Sequence, residues 1–88
     1  MYKLAIKESL DKKFKKFQKK DMEMLRLIER KVQDILAEPH RFKPLRKPLQ
    51  NKRRVHVAGS FVLVYEVKEK EKLVTLLDFD HHDNIYKT

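Results

Sequence analysis

The residues best equipped for chemistry gather in the second half of the chain. Arg54 and His56 lie one residue apart, just ahead of Gly59-Ser60. Gly at the first position of a two-residue turn suits the primed geometry that closes a β-hairpin. With that turn, Ala58 pairs with Phe61, His56 with Leu63 and Arg54 with Tyr65. The register predicts one face carrying Arg54, His56, Phe61 and Tyr65, a mixture of cations, imidazole and aromatic rings of the kind that contacts RNA. It assigns Val55, Val57, Val62 and Val64 to the opposite, core-forming face. A plainer reading stays open beside it, in which Phe61 and Tyr65 form a small core of their own and Arg54 and His56 are solvated.

A second group, Asp78, Asp80, His81, His82 and Asp83, has the side-chain types of a metal site. Strand alternation sends Asp78, Asp80 and His82 to one face and His81 to the other, and no second element supplies a matching ligand pair. A solvated strand end is expected there, with neither metal nor small-molecule cofactor.

The cations are concentrated between His40 and Arg54, where Arg41, Lys43, Arg46, Lys47, Lys52, Arg53 and Arg54 occur together with Pro44 and Pro48. Proline stiffens this stretch and forbids helix. It is predicted to be a basic loop that runs into the strand carrying Arg54 and His56, so that Lys43, Arg46, Lys47 and Lys52 reach the same place and hold phosphate there. The lysines between Lys12 and Lys20 surround an apolar stripe and are read mainly as a solvated helix face.

The elements that must position these groups follow from periodicity. Tyr2, Leu4 and Ile6 alternate with Lys3, Ala5 and Lys7, which predicts an opening strand. Ser9 is a plausible N-cap for a helix whose stripe is Leu10, Phe14 and Phe17; Asp21 caps a longer one built on Leu25, Ile28, Val32 and Ile35, which Pro39 ends. After the basic loop come the hairpin, a charged turn from Lys68 to Lys72, and a last strand from Leu73 to Phe79. The fold class is α+β: a strand, an antiparallel helix hairpin, then three antiparallel strands, all four strands in one sheet.

Composition bounds the rest. The 88 residues make one domain, spanning 1–88, with a modest core. A formal charge of +9 and a pI near 9.9 draw polyanions to the surface. The apolar stretches are too short to span a bilayer, so no membrane partner is expected, and no export signal follows Met1 to Lys7, so a cytoplasmic location is expected. Without cysteine there is no disulfide framework, thiolate nucleophile or zinc-thiolate site.

The layout, together with Arg53-Arg54-Val55-His56-Val57, Val62-Leu63-Val64-Tyr65 and His82-Asp83-Asn84-Ile85-Tyr86, resembles the RelE/ParE toxin superfamily over nearly the whole chain. The segment from Lys43-Pro44-Leu45 to Val64-Tyr65 is most similar to its YafQ-type branch. The resemblance implies the toxin of a type II toxin-antitoxin pair, an mRNA endoribonuclease acting in the ribosomal A site and silenced by a RelB-like antitoxin. It places His56 and His82 at catalytic histidine positions, Arg53 at a basic strand start and Tyr86 at a terminal tyrosine. Lys43 and Ser60 replace another His and an Asp of the YafQ-type pattern, and Val62 replaces the hairpin arginine of the RelE-type pattern. On this reading His56 and His82 share acid-base work, Arg53, Arg54 and Lys52 stabilise the phosphate, and Tyr65 or Tyr86 packs a base. Two alternatives accompany it: a gyrase-inhibiting toxin, as ParE-type members of the superfamily are, and a catalytically degenerate toxin that only binds its antitoxin.

Overall fold

The structure, a computed structural model, describes residues 1–46 and 51–85. Strand β1 (Lys3–Ile6) leads into a helix hairpin, α1 (Glu8–Lys20) and α2 (Met22–Ala37), followed by β2 (Lys52–Val57), β3 (Phe61–Lys68), β4 (Leu73–His81) and a short helix α3 (His82–Ile85). The α1 stripe buries Leu10 and Phe14, and α2 buries Ile28, Val32 and Ile35. Asp21 caps α2 as expected, its carboxylate accepting from Met24 N at 3.1 Å. Ser9, by contrast, is not the cap of α1. The Lys7 N–H donates to Leu76 O at 2.9 Å and its carbonyl accepts from Leu10 and Asp11, so pairing with β4 sets the helix start earlier.

The strands form one sheet in the order β1-β4-β3-β2. The last three are antiparallel, whereas β1 joins β4 in parallel, making the sheet mixed. Because β2 and β4 run in the same direction and β4 is parallel to β1, β2 starts at the same end of the sheet as β1, so the long connection between them is a crossover and not a hairpin. The helices cover one face, packing on Val55, Val57, Leu63, Tyr65, Val74, Leu76 and Phe79.

The hairpin register differs from the sequence expectation by one residue. Val57 pairs with Phe61, His56 with Val62 and Arg54 with Val64, across a three-residue loop, Ala58-Gly59-Ser60. Ala58 and Gly59 both take left-handed φ, 53° and 77°, and Ser60 N donates to Ala58 O at 2.8 Å. A one-residue slip exchanges the faces of β3. Phe61, Leu63 and Tyr65 therefore turn to the helices, and Val62 and Val64 to the other side, where they are also buried. The exchange puts the larger apolar side chains in the main core, where each removes more area from water. A Cβ added at Gly59 would meet nothing within 4 Å, so the cost of substitution there is that of the backbone alone. Gly59→Val is expected to destabilise the domain by about 1–2 kcal/mol in urea denaturation.

At the far end of the sheet Glu69 ties three segments together. It accepts from Tyr2 Oη at 2.7 Å, contacts His40 Nε2 at 2.5 Å and pairs with Lys72, whose ammonium also lies over the Tyr2 ring. Hydrogen bonds from Lys72, His40 and Tyr2 lower the Glu69 pKa from 4.5 to about 2. A carboxylate depressed in this way stabilises the fold above its unfolded value and ceases to do so as pH falls through the folded one. The Tm difference between the unmodified chain and Glu69→Gln is expected to be widest above about pH 4.5 and to close towards about pH 2. A pH-independent difference would contradict this role for Glu69.

Candidate active site

The face opposite the helices carries two adjacent rungs. Arg54 of β2 pairs with Val64 of β3 and through it with Asp78 of β4; two residues along, His56, Val62 and Asp80 repeat the arrangement. Val62 and Val64 make an apolar floor, with basic side chains on β2 and carboxylates on β4. Register shifts in β4 opposite Val64 and Tyr65, where Leu77 is inserted between the paired residues Leu76 and Asp78. The core residues of β4 accordingly skip from Leu76 to Phe79 instead of alternating.

His82 opens α3 immediately after β4. Its N–H donates to Ser60 O at 2.7 Å, which fastens α3 to the hairpin loop. The imidazole consequently lies beside that of His56, ring centroids 5.9 Å apart and planes inclined by 23°. The two histidines singled out in the sequence are thus brought together from β2 and α3, both on the exposed side. His82 Nδ1 also lies 3.4 Å from Asp83 Oδ1.

The carboxylates expected to be idle at the strand end organise this corner. Asp80 accepts from Asn84 Nδ2 at 3.0 Å and from His81 N at 2.7 Å, and these hydrogen bonds, with the nearby Lys13, hold its pKa below the usual carboxylate range. Lys13 of α1 donates to Phe79 O at 2.8 Å and reaches both Asp78 and Asp80, within 3.5 and 3.8 Å. It thereby covers the stretch of β4 beyond the pairing with β1. Lys13 sits among many lysines of similar spacing, and no local pattern distinguishes it. His81 faces the other way and packs edge-on against Phe61.

The basic loop reaches the site by adding to the β2 edge. Pro44 forms an antiparallel bridge with Arg53, Arg54 N donates to Lys43 O at 3.1 Å, and Leu45 N to Lys52 O at 2.8 Å. Lys43 is exposed beside Arg54, Lys52 shares the Arg54 face, and Arg46 is exposed further along the loop. Lys47 and Tyr86 lie outside the described residues.

Two expected site residues stand elsewhere. Arg53 alternates to the helix side, where its Nη1 donates to Phe42 O at 2.6 Å and His40 O at 3.2 Å, holding the root of the basic loop. Tyr65 is 0 % exposed and its hydroxyl donates to Pro39 O at 2.7 Å. Burial pushes that phenol up to about 12. The slipped register explains Tyr65: a ring expected beside His56 becomes core, and a base has no access to it, whereas Arg53 faces the helices by simple alternation with Arg54 along β2.

A helix hairpin on one face of a β1-β4-β3-β2 sheet, with His56 and His82 on the other face and the basic loop along the β2 edge, is a RelE-like toxin fold. Solved structures share it: the YoeB/ParE toxin from Agrobacterium tumefaciens superposes with a TM-score of 0.80 at 17% identity, over 91% of this chain and 98% of that one. A chain of the intact E. coli RelBE toxin-antitoxin complex does so with a TM-score of 0.78 at 17% identity, over 92% and 96%. The chain belongs to the family described as ParE toxin of type II toxin-antitoxin system, parDE, whose profile matches residues 4–86. It is also 49% identical over 87 residues to a Methanocaldococcus jannaschii protein named "Putative toxin RelE4", covering 99% of this chain and 93% of that one. No helix among the described residues is long and apolar enough to cross a membrane.

Proposed function

We propose that this toxin is a ribosome-dependent, metal-independent mRNA endoribonuclease that inhibits translation in the cytoplasm and is silenced by a RelB-like antitoxin. The observation that carries the reading is the His56–His82 pair, two exposed imidazoles from separate elements with their centroids 5.9 Å apart. Cleavage by the neighbouring 2′-hydroxyl needs one group to take its proton as the oxygen attacks phosphorus, and another to protonate the departing 5′ oxygen. Imidazole does both near neutrality. Charge developing on the phosphate falls to Arg54, Lys52 and Lys43, grouped by the loop and the β2 edge. Arg46, Lys47 and Tyr86 extend the RNA contacts in this proposal, and Arg53 contributes by holding the loop that presents Lys43.

An antitoxin partner accords with the family and with the assembly of the E. coli neighbour. The test incubates the purified chain with a defined message on translating ribosomes and with the same message alone. Cleavage confined to the ribosome-bound message is expected; an intact message in both would end the proposal.

The family description, which names ParE, favours a second reading, inhibition of gyrase. A supercoiling assay run in parallel separates the two. Antitoxin binding without either activity would identify a degenerate toxin, in keeping with Lys43, Ser60 and Val62 standing where related branches have other groups.

A further inference from the structure

Beside the histidine pair, where β4 carries its inserted residue, the surface opens into a cleft of about 390 Å³. Val64, Leu77 and Ile85 supply apolar lining, and Lys7, Lys52 and Asp78 supply charge. Val64 and Asp78 belong to the Arg54 rung, two residues from the His56–Val62–Asp80 rung. That is about 7 Å along a strand, comparable to one nucleotide step of an extended single strand. A lining that mixes apolar with charged side chains matches a nucleobase, which has apolar faces and a polar edge, and the lysines suit its phosphate.

We propose that this cleft holds the base next to the scissile phosphate and that Asp78 selects bases bearing an exocyclic amine over uracil. The inference rests on the endoribonuclease reading and adds to it a site for one base and a residue that reads it. Asp78 Oδ1 accepts from Phe79 N at 2.8 Å and lies 3.5 Å from Lys13 Nζ. A carboxylate has about four lone-pair positions, so these contacts leave capacity for an amine donor. Adenine, guanine and cytosine each present such a donor, whereas uracil has no exocyclic amine and its one donor, N3–H, is flanked by two carbonyl oxygens that a carboxylate repels.

The experiment has two arms. In the first, ribosomes carry messages that differ only in the nucleotides flanking the cut, and cleavage is mapped for the unmodified chain, Asp78→Asn and Ser9→Trp. Ser9 is exposed on α1 and lines the cleft, so the indole fills the space without entering the core. The unmodified chain is expected to favour amine-bearing bases at one flanking position by about tenfold. Asp78→Asn should bring uracil level with them, since an amide both donates and accepts, and Ser9→Trp should slow cleavage in every context. The second arm titrates the four nucleoside monophosphates into the isolated chain and follows backbone amide NMR shifts. Val64, Leu77 and Asp78 are expected to move with AMP, GMP and CMP at lower concentration than with UMP.

Cleavage by the unmodified chain with the same flanking profile in Asp78→Asn overturns the base site and leaves the endoribonuclease reading standing. No cleavage by the unmodified chain removes that reading, and the titration then decides the cleft by itself. Shifts absent from these residues, or equal for all four nucleotides, overturn it.

Discussion

Replacing either His56 or His82 by alanine is expected to slow cleavage of ribosome-bound message by about 10²-fold or more while the domain remains folded. Both side chains are exposed and neither belongs to the core, so their loss leaves the packing intact. The bond from the His82 N–H to Ser60 O is made by the backbone and survives the substitution. Thermal melts of the variants should therefore lie within a few degrees of the unmodified chain. Acid and base act in one displacement, so the double variant should be little slower than the slower single variant. Unchanged cleavage in both single variants would refute the assignment of acid-base chemistry to this pair.

The largest effect on stability is expected at Tyr65. Its ring is wholly buried against the helices and its hydroxyl satisfies Pro39 O, the carbonyl at the root of the basic loop. Tyr65→Ala removes an aromatic ring from a small core and is expected to cost about 3–5 kcal/mol. In a domain of this size that lowers Tm by more than about 12 °C. Tyr65→Phe keeps the ring and leaves the Pro39 carbonyl without that donor, at about 1–2 kcal/mol. Urea denaturation of the two variants measures both figures. Because the ring lies on the helix face, Tyr65→Phe should cleave at close to the unmodified rate under conditions where it is folded. A loss of cleavage without a loss of stability would place the ring in the RNA site after all.

The E. coli RelBE neighbour and the family description bear on partners in different ways. The neighbour's assembly belongs to that complex; this chain contributes the fold and a basic face. In the proposed function the same face meets mRNA or the antitoxin, and the two compete. The basic face suits either partner by charge, and in the proposed function it is RNA cleavage that calls on the two imidazoles and the cleft beside them.

The order of elements was legible because it rests on short-range rules. Alternation over Tyr2 to Ile6, the 3,4,3 spacing of Leu25, Ile28, Val32 and Ile35, the Asp21 cap and the Pro39 stop each act within one or two turns of chain. Gly59 marked the hairpin for the same reason. Histidine and arginine types, with the resemblance they carried, sufficed to nominate His56, His82 and Arg54.

The tertiary structure alone decided which face each group occupies. A β-strand's two faces differ by a single residue of register, so a loop of three residues in place of two moved Tyr65 and Phe61 into the core and Val62 and Val64 to the histidine side. No sequence pattern at Ala58 announced its left-handed φ. The inserted residue in β4, the reach of Lys13 to Asp78 and Asp80, and the Ser60–His82 bond all join residues distant along the chain. The sequence by itself determined the elements and the chemical groups available, because propensity and residue type are local. Their assembly into one site depended on register and packing, which are settled only when distant segments compete for the same core.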